Sequence, residues 1–174
     1  MCRLAQTLGL AEMAFSLLQL SKTELEALAA SRVPESLENR IEQESMPPAF
    51  VAARSIDLAI AGHPAPWSTT FLIVNDEDFR IVGGCGFKTA PIDGRVEIGY
   101  GVAPVAQGRG AATAALLLLV RKGFEAGATE ILAEVAPTNH ASTRVVQKAG
   151  FERVGARVDN ESEYVIQWAK RSAA

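Results

Sequence analysis

The run Gln107-Gly108-Arg109-Gly110-Ala111-Ala112 constrains the fold of this chain more than any other segment. It follows an alternating, strand-like stretch, Arg95 to Val102, and opens onto Ala111 to Ala126, an Ala- and Leu-rich helix that Gly127 stops. Two glycines one residue apart at such a junction let the backbone approach a ligand closely. They also leave the first amides of the helix pointing outward without partners. The helix dipole is positive at that end and Arg109 adds a cation, so the turn suits a phosphate.

The rest of the chain supplies the elements around this junction. Phe15 to Leu20 reads as a strand, and Ser21-Lys22-Thr23-Glu24 fits a capping box that starts a helix reaching about Ala30. Pro34 and Pro48 each stand where a helix can begin, and Gly62 is placed to end the second, around Phe50 to Ala61. Phe71 to Val74, Arg80 to Phe87 and Arg95 to Val102 predict a three-stranded antiparallel meander, broken at Asn75-Asp76-Glu77-Asp78 and Pro91-Ile92-Asp93-Gly94. A strand at Glu130 to Val135, a helix at His140 to Ala149 and strands around Phe151 to Arg157 and Glu163 to Trp168 complete the chain. That order predicts an α+β fold, three layers around one mixed sheet, in a single domain over 13–170 preceded by an extension at 1–12.

Composition narrows the partners. With 17 Lys and Arg among 20 Asp and Glu and a net charge of −3, the chain has no basic footprint for nucleic acid. Cys2 and Cys85 give neither a disulfide framework nor zinc-site spacing, and His63 and His140 have no neighbouring ligands, so no metal is expected. Cys85 lies in an apolar run that predicts a buried thiol. Glu12 interrupts the apolar start, no small-residue cleavage site follows, and no window is long enough for a membrane span. A cytoplasmic, metal-free protein is the expectation.

Three anion-binding motifs compete for the glycine turn. A Walker loop would end in Gly-Lys-Ser or Gly-Lys-Thr, and Gly86-Phe87-Lys88-Thr89 has an inserted residue and opens no helix. A dinucleotide fingerprint would want a small residue where Thr113 stands, within an early β-α-β unit. The third motif is Gln or Arg, two residues, Gly, one residue, Gly or Ala, which Gln107, Gly110 and Ala112 satisfy in place. On this motif the chain resembles the Gcn5-related N-acetyltransferases over roughly residues 67–168. Asn139, Ser142, Val146, Lys148, Gly150 and Phe151 form a second segment, similar to the ribosomal-protein N-terminal acetyltransferase branch of that family.

The resemblance implies acetyl-CoA as co-substrate and a primary amine as acceptor, either a protein N-terminus or a small molecule. Gln107, Gly108, Arg109, Gly110, Ala111 and Ala112 would hold the pyrophosphate. Asn139 would hydrogen-bond the pantetheine arm where two strands splay apart, and the backbone N–H near Val102 would polarise the thioester carbonyl. Many relatives carry a tyrosine that protonates the departing thiolate, but Val146 stands at that place, and Ser142 is the nearest hydroxyl. Asn139 and Ser142 also suit a helix start on purely structural grounds.

Alternation along the strand before the turn puts Val96, Ile98 and Tyr100 on one face and Glu97, Gly99 and Gly101 on the other. The second face is nearly bare, with room for a substrate beside Glu97. By resemblance Glu97 is a candidate base for the amine, and Glu161, past the Gly150-Phe151 pair, is a competing one. Edge strands make a homodimer a further expectation. A non-catalytic acyl-CoA-binding module, or a nucleotide-binding one, is the alternative.

Overall fold

The computed structural model describes residues 14–173; the expected extension at 1–12, with Cys2, lies outside the described residues. Strand β1 is Phe15–Gln19, followed by α1 (Lys22–Ala29), a short 3-10 helix (Glu35–Arg40) and α2 (Ala49–Ile60). Next come β2 (Thr70–Asn75), β3 (Ile81–Phe87), β4 (Arg95–Val102) and a 3-10 turn (Pro104–Ala106). The chain then runs through α3 (Ala111–Glu125), β5 (Glu130–Val135), α4 (His140–Lys148), β6 (Glu152–Val158) and β7 (Tyr164–Arg171). The seven strands form one mixed sheet in the order β1-β2-β3-β4-β5-β7-β6, in which only β4 and β5 are parallel.

Local chemistry explains most of these boundaries. Ser21 Oγ accepts from the Glu24 amide at 3.3 Å while Glu24 accepts from the Ser21 amide at 2.8 Å, completing the capping box. Pro48 precedes a full α-helix, but Pro34 starts only the 3-10 segment, which buries one residue, Leu37. The meander gains a fourth strand, because β1 adds antiparallel to the far edge of β2. Strand β7 runs to Arg171, beyond the apolar stretch ending at Trp168, because Ala169, Lys170 and Arg171 find ladder partners in Leu132, Ile131 and Glu130.

The sheet is buried on both faces at its centre. Along β2, Phe71 and Ile73 join one apolar cluster with Leu116 and Leu119 of α3, while Leu72 and Val74 join another with Leu25 and Leu28 of α1 and Ala52 of α2. A strand with helices on both faces has no solvent side, so it reads as a continuous apolar run. The result is three layers, with α1 and α2 on one face and α3 and α4 on the other.

Candidate active site

Strands β4 and β5 pair only from Arg95↔Glu130 to Glu97↔Leu132; beyond Glu97 they part. Past that point β4 stays paired with β3 as far as Val102, and β5 stays paired with β7 as far as Val135. The backbone pattern shows what this opening contains. The Lys88 amide donates to the Glu97 carbonyl at 2.8 Å and the Ala103 amide to the Val82 carbonyl at 2.7 Å. In an antiparallel ladder the amides alternate in direction, so those of Glu97, Gly99, Gly101 and Ala103 face β3. Those of Tyr100 and Val102 face the opposite edge, where β5 has already diverged. The splay thus leaves two outward amides able to bind a carbonyl oxygen.

The glycine turn stands at the mouth of this opening. Gly108 and Gly110 have φ of 75° and 86°, the left-handed region that a side chain strains, and Gly110 is the residue from which α3 starts. No side chain caps that helix, so its first amides are offered outward. Gln107 Nε2 donates to the Val102 carbonyl at 3.3 Å, tying the turn to the end of β4. From the other side, Asn139 caps α4 by accepting the Ser142 amide at 3.0 Å on Oδ1, which leaves its side-chain N–H groups for a ligand. Both readings of Asn139, helix cap and ligand donor, are therefore compatible.

A cavity of about 470 Å³ lies between the turn and α4, lined among others by Val102, Gln107, Gly110, Asn139, Arg144 and Lys148. Arg144 and Lys148 are one helical turn apart on α4 and bring cations to the wall facing the glycine turn. Helix-terminus amides, glycines without side chains and two cations are the groups that could hold a pyrophosphate-bearing ligand.

On the other side of β4 lies a second cavity, about 460 Å³, between the sheet and the segment carrying α2. Its floor is a block of cross-strand glycine pairs, Gly84↔Gly101 and Gly86↔Gly99. Pro47 rests on Gly84, and the Lys88 side chain reaches Gly99, but nothing lies within 4 Å of where a side chain at Gly101 would begin. Lys88 closes one end, ion-paired to Glu97 Oε1. The two cavities share Tyr100, Gly101 and Val102.

The residues expected from the sequence are distributed unequally. Val102, Gln107, Gly108, Gly110, Ala111, Ala112, Asn139 and Ser142 all line the first cavity. Arg109 is exposed and does not line it. Glu97 is half-buried on the glycine face, engaged with Lys88 and bordering the second cavity rather than lining it. Glu161 is exposed in the β6–β7 turn, where its amide donates to Asp159 Oδ1 at 2.9 Å, and it lines neither cavity. Cys85 is buried, and burial pushes its thiol up to about 12, so it is inert.

Tyr100 and Arg144 escaped the sequence reading, and Lys148 entered it without a role at the site. Tyr100 falls on the apolar face with Val96 and Ile98, and beyond the splay that face borders the first cavity while still packing on the core. Its hydroxyl approaches the Ser142 carbonyl at 3.5 Å, and burial raises its phenol, more than the contact with Ser142 lowers it. Val146 is completely buried, so the phenol at Tyr100 is the one near Ser142. Arg144 was legible only as the i, i+4 partner of Lys148, a pair that any solvated helix face carries, and Lys148 only as a member of the second segment.

A mixed sheet splayed beside a glycine-turned helix, with cavities on both sides of one strand, defines the acyl-CoA N-acyltransferase class of fold. The acetyltransferase (GNAT) domain model matches residues 15–152, and the chain belongs to that family. Over 107 residues it is 31% identical to the N-acetyltransferase p20 of Bacillus licheniformis, itself uncharacterised. That match spans 60% of this chain and 58% of the relative. The fold is similar to that of a ribosomal-protein-S5-alanine acetyltransferase from Vibrio fischeri (TM-score 0.65, 15% identity, 92% of this chain and 94% of that one). It is equally similar to RimJ of Mycobacterium smegmatis in complex with CoA-disulfide (TM-score 0.65, 20% identity, 91% and 82% covered).

Among the described residues no helix is long and apolar enough to cross a membrane, and no cluster of side chains is arranged to hold a metal ion.

Proposed function

We propose that this protein transfers the acetyl group of acetyl-CoA to a primary amine by direct attack in a ternary complex. The observation that carries the reading is the meeting of two cavities at Tyr100-Gly101-Val102, one built for a pyrophosphate-bearing thioester and the other open to a second substrate. The amine nitrogen attacks the thioester carbonyl carbon, whose oxygen takes the outward amides of β4. The C–S bond then breaks, and the amine proton passes through water to Glu97 Oε2, the oxygen that Lys88 leaves unpaired. Tyr100 stays protonated at neutral pH because burial raises its phenol. It and the Ser142 hydroxyl donate hydrogen bonds to the departing sulfur.

A protein α-amine, with pKa near ~8, is partly neutral already, whereas a lysine amine near ~10.4 is not, so a modest base suffices for an N-terminus or a small amine of similar basicity. The same reading takes residues 13–170 as one domain acting in the cytoplasm. It assigns a homodimer contact to β6, which is exposed along nearly its whole length; sedimentation showing a monomer at working concentration would remove that part.

The direct test is release of CoA thiol from acetyl-CoA in the presence of amines and peptides, with calorimetry of cofactor binding. Transfer is expected with wild type, and Gly110→Trp, which fills the mouth of the first cavity, should abolish acetyl-CoA binding. Normal affinity in that variant would refute the site. Tight acetyl-CoA binding without thiol release across a broad amine panel would leave a binding module, and competitive displacement by ATP would point to a nucleotide site.

A further inference from the structure

The second cavity holds a cation without a partner among the described residues, which acetyl transfer itself does not require. Three charged residues line it: Glu44, Arg54 and Lys88. Lys88 is committed to Glu97. Glu44 is exposed at the mouth. Arg54, in the middle of α2, is half-buried, and among the described residues it forms no hydrogen bond or ion pair; its Nε is enclosed and unpartnered. Glu97 is close enough to act on Arg54 electrostatically, yet its Oε1 is hydrogen-bonded to Lys88 instead. The Oγ of Ser45, in the same wall, is also buried without a partner.

Enclosed donors without acceptors are costly, and a cavity wall could be built from apolar residues at no such cost. The terminal nitrogens of the same guanidinium are not enclosed and also have no acceptor among the described residues, so Arg54 marks a place on the cavity lining where a ligand completes the hydrogen bonding. Guanidinium matches a carboxylate with two parallel bonds, and the Ser45 hydroxyl, on the lining of the same cavity, can donate a third once it rotates inward.

We infer that the acceptor is an amine that also carries a carboxylate, held by Arg54 and Ser45 while its amino group points across the glycine floor to Tyr100-Gly101-Val102. This deepens the acetyl-transfer reading and rests on it. The same chemistry occurs in a free amino acid and in a peptide whose N-terminal residues include an acidic side chain. Polycationic acceptors are disfavoured, since they would bring an ammonium group against an unpaired guanidinium.

The test compares acceptors that differ only in charge: an ω-amino acid, its amide, and the diamine of equal length. Amidated dipeptides with Glu or Gln second separate a peptide source from a free amino acid. The carboxylate-bearing member should lead in kcat/KM by roughly ten-fold or more. Arg54→Gln should erase the preference by raising KM with little change in kcat, Arg54→Lys should restore part of it, and Ser45→Ala should weaken it. In parallel, calorimetry of the CoA-loaded protein with an N-acetylated amino acid should show binding that Arg54→Gln removes.

A preference for the diamine, or discrimination unchanged in Arg54→Gln, would overturn the inference. Acetylation of amines regardless of charge would leave the transfer reading standing and sink this one. Arg54-dependent binding of the N-acetylated acid with no turnover of any amine would do the reverse, keeping the anion site and refuting transfer.

Discussion

Glu97 has the fewest rivals among the carboxylates on this sheet for the role of base, and its surroundings define what a variant should show. Neighbouring Gly99 and Gly101 leave it beside an open floor, and Lys88 fixes one of its oxygens. Glu97→Gln keeps the shape and removes the proton acceptor, so kcat should fall by roughly 10²-fold with acetyl-CoA affinity unchanged. Tyr100→Phe removes the proposed hydrogen bond to the leaving sulfur along with the long contact to the Ser142 carbonyl, and should cost kcat about ten-fold, again without loss of binding. Steady-state kinetics with calorimetry separates the two effects. Unchanged turnover in Glu97→Gln would reassign the proton to bulk solvent. Alternation made Glu97 legible in the sequence, whereas its partner Lys88 was not, because cross-strand register is invisible until β3 and β4 are paired.

At the scale of elements, the splay depends on what holds β4 and β5 together before they part. Glu130 of β5 is buried, and it accepts from Arg95 of β4 and from Arg171 of β7, each at 2.7 Å. This clamp sits at the paired end of the β4/β5 junction, so the strands can open beyond Glu97 without the sheet dividing. The Arg171 bond, with Arg95 adding to it, holds the Glu130 carboxyl below its ordinary range against the opposing effect of burial. A carboxylate with a lowered folded pKa contributes stability that is present above its unfolded value of about 4.3 and is lost as pH falls through the folded value. Wild type should therefore exceed Glu130→Gln by about 1 kcal/mol at pH 7, a modest figure because both arginines are largely exposed. In urea titrations the gap should narrow as the pH drops below about 4. A gap undiminished at pH 3 would assign the effect to packing.

For the whole molecule, the cofactor cavity is made by elements distant in sequence: the end of β4, the start of α3 and one face of α4. A ligand seated there bridges β4, α3 and α4 and binds only the folded chain. At a hundred times its dissociation constant, acetyl-CoA should add about 2.7 kcal/mol, which for a chain of this size raises the melting temperature by roughly 5–10 °C. Differential scanning fluorimetry checks this, with Gly110→Trp as the variant expected to show no shift. An equal shift in that variant would place the ligand elsewhere.

What the sequence by itself determined were features written in local chemistry and period. They include the capping box at Ser21, the glycine turn before α3, the bare face of β4 and the Asn139 start of α4. Each depends on residues a few positions apart, so spacing alone reveals it. Tertiary structure decided everything that depends on which strands neighbour one another. It placed β1 beside β2, extended β7 along β5, paired Lys88 with Glu97, and put Tyr100 where the two cavities meet. It also left Arg109 and Glu161 outside both cavities and enclosed Arg54 without a partner. Strand order and the point of divergence are set by burial summed over the whole sheet, and no local window carries that sum. The turn at Gln107 to Ala112 therefore announced an anion site from sequence, but only the packing of the α2 segment over the glycine floor of β3 and β4 gave that site a neighbouring place for a second substrate.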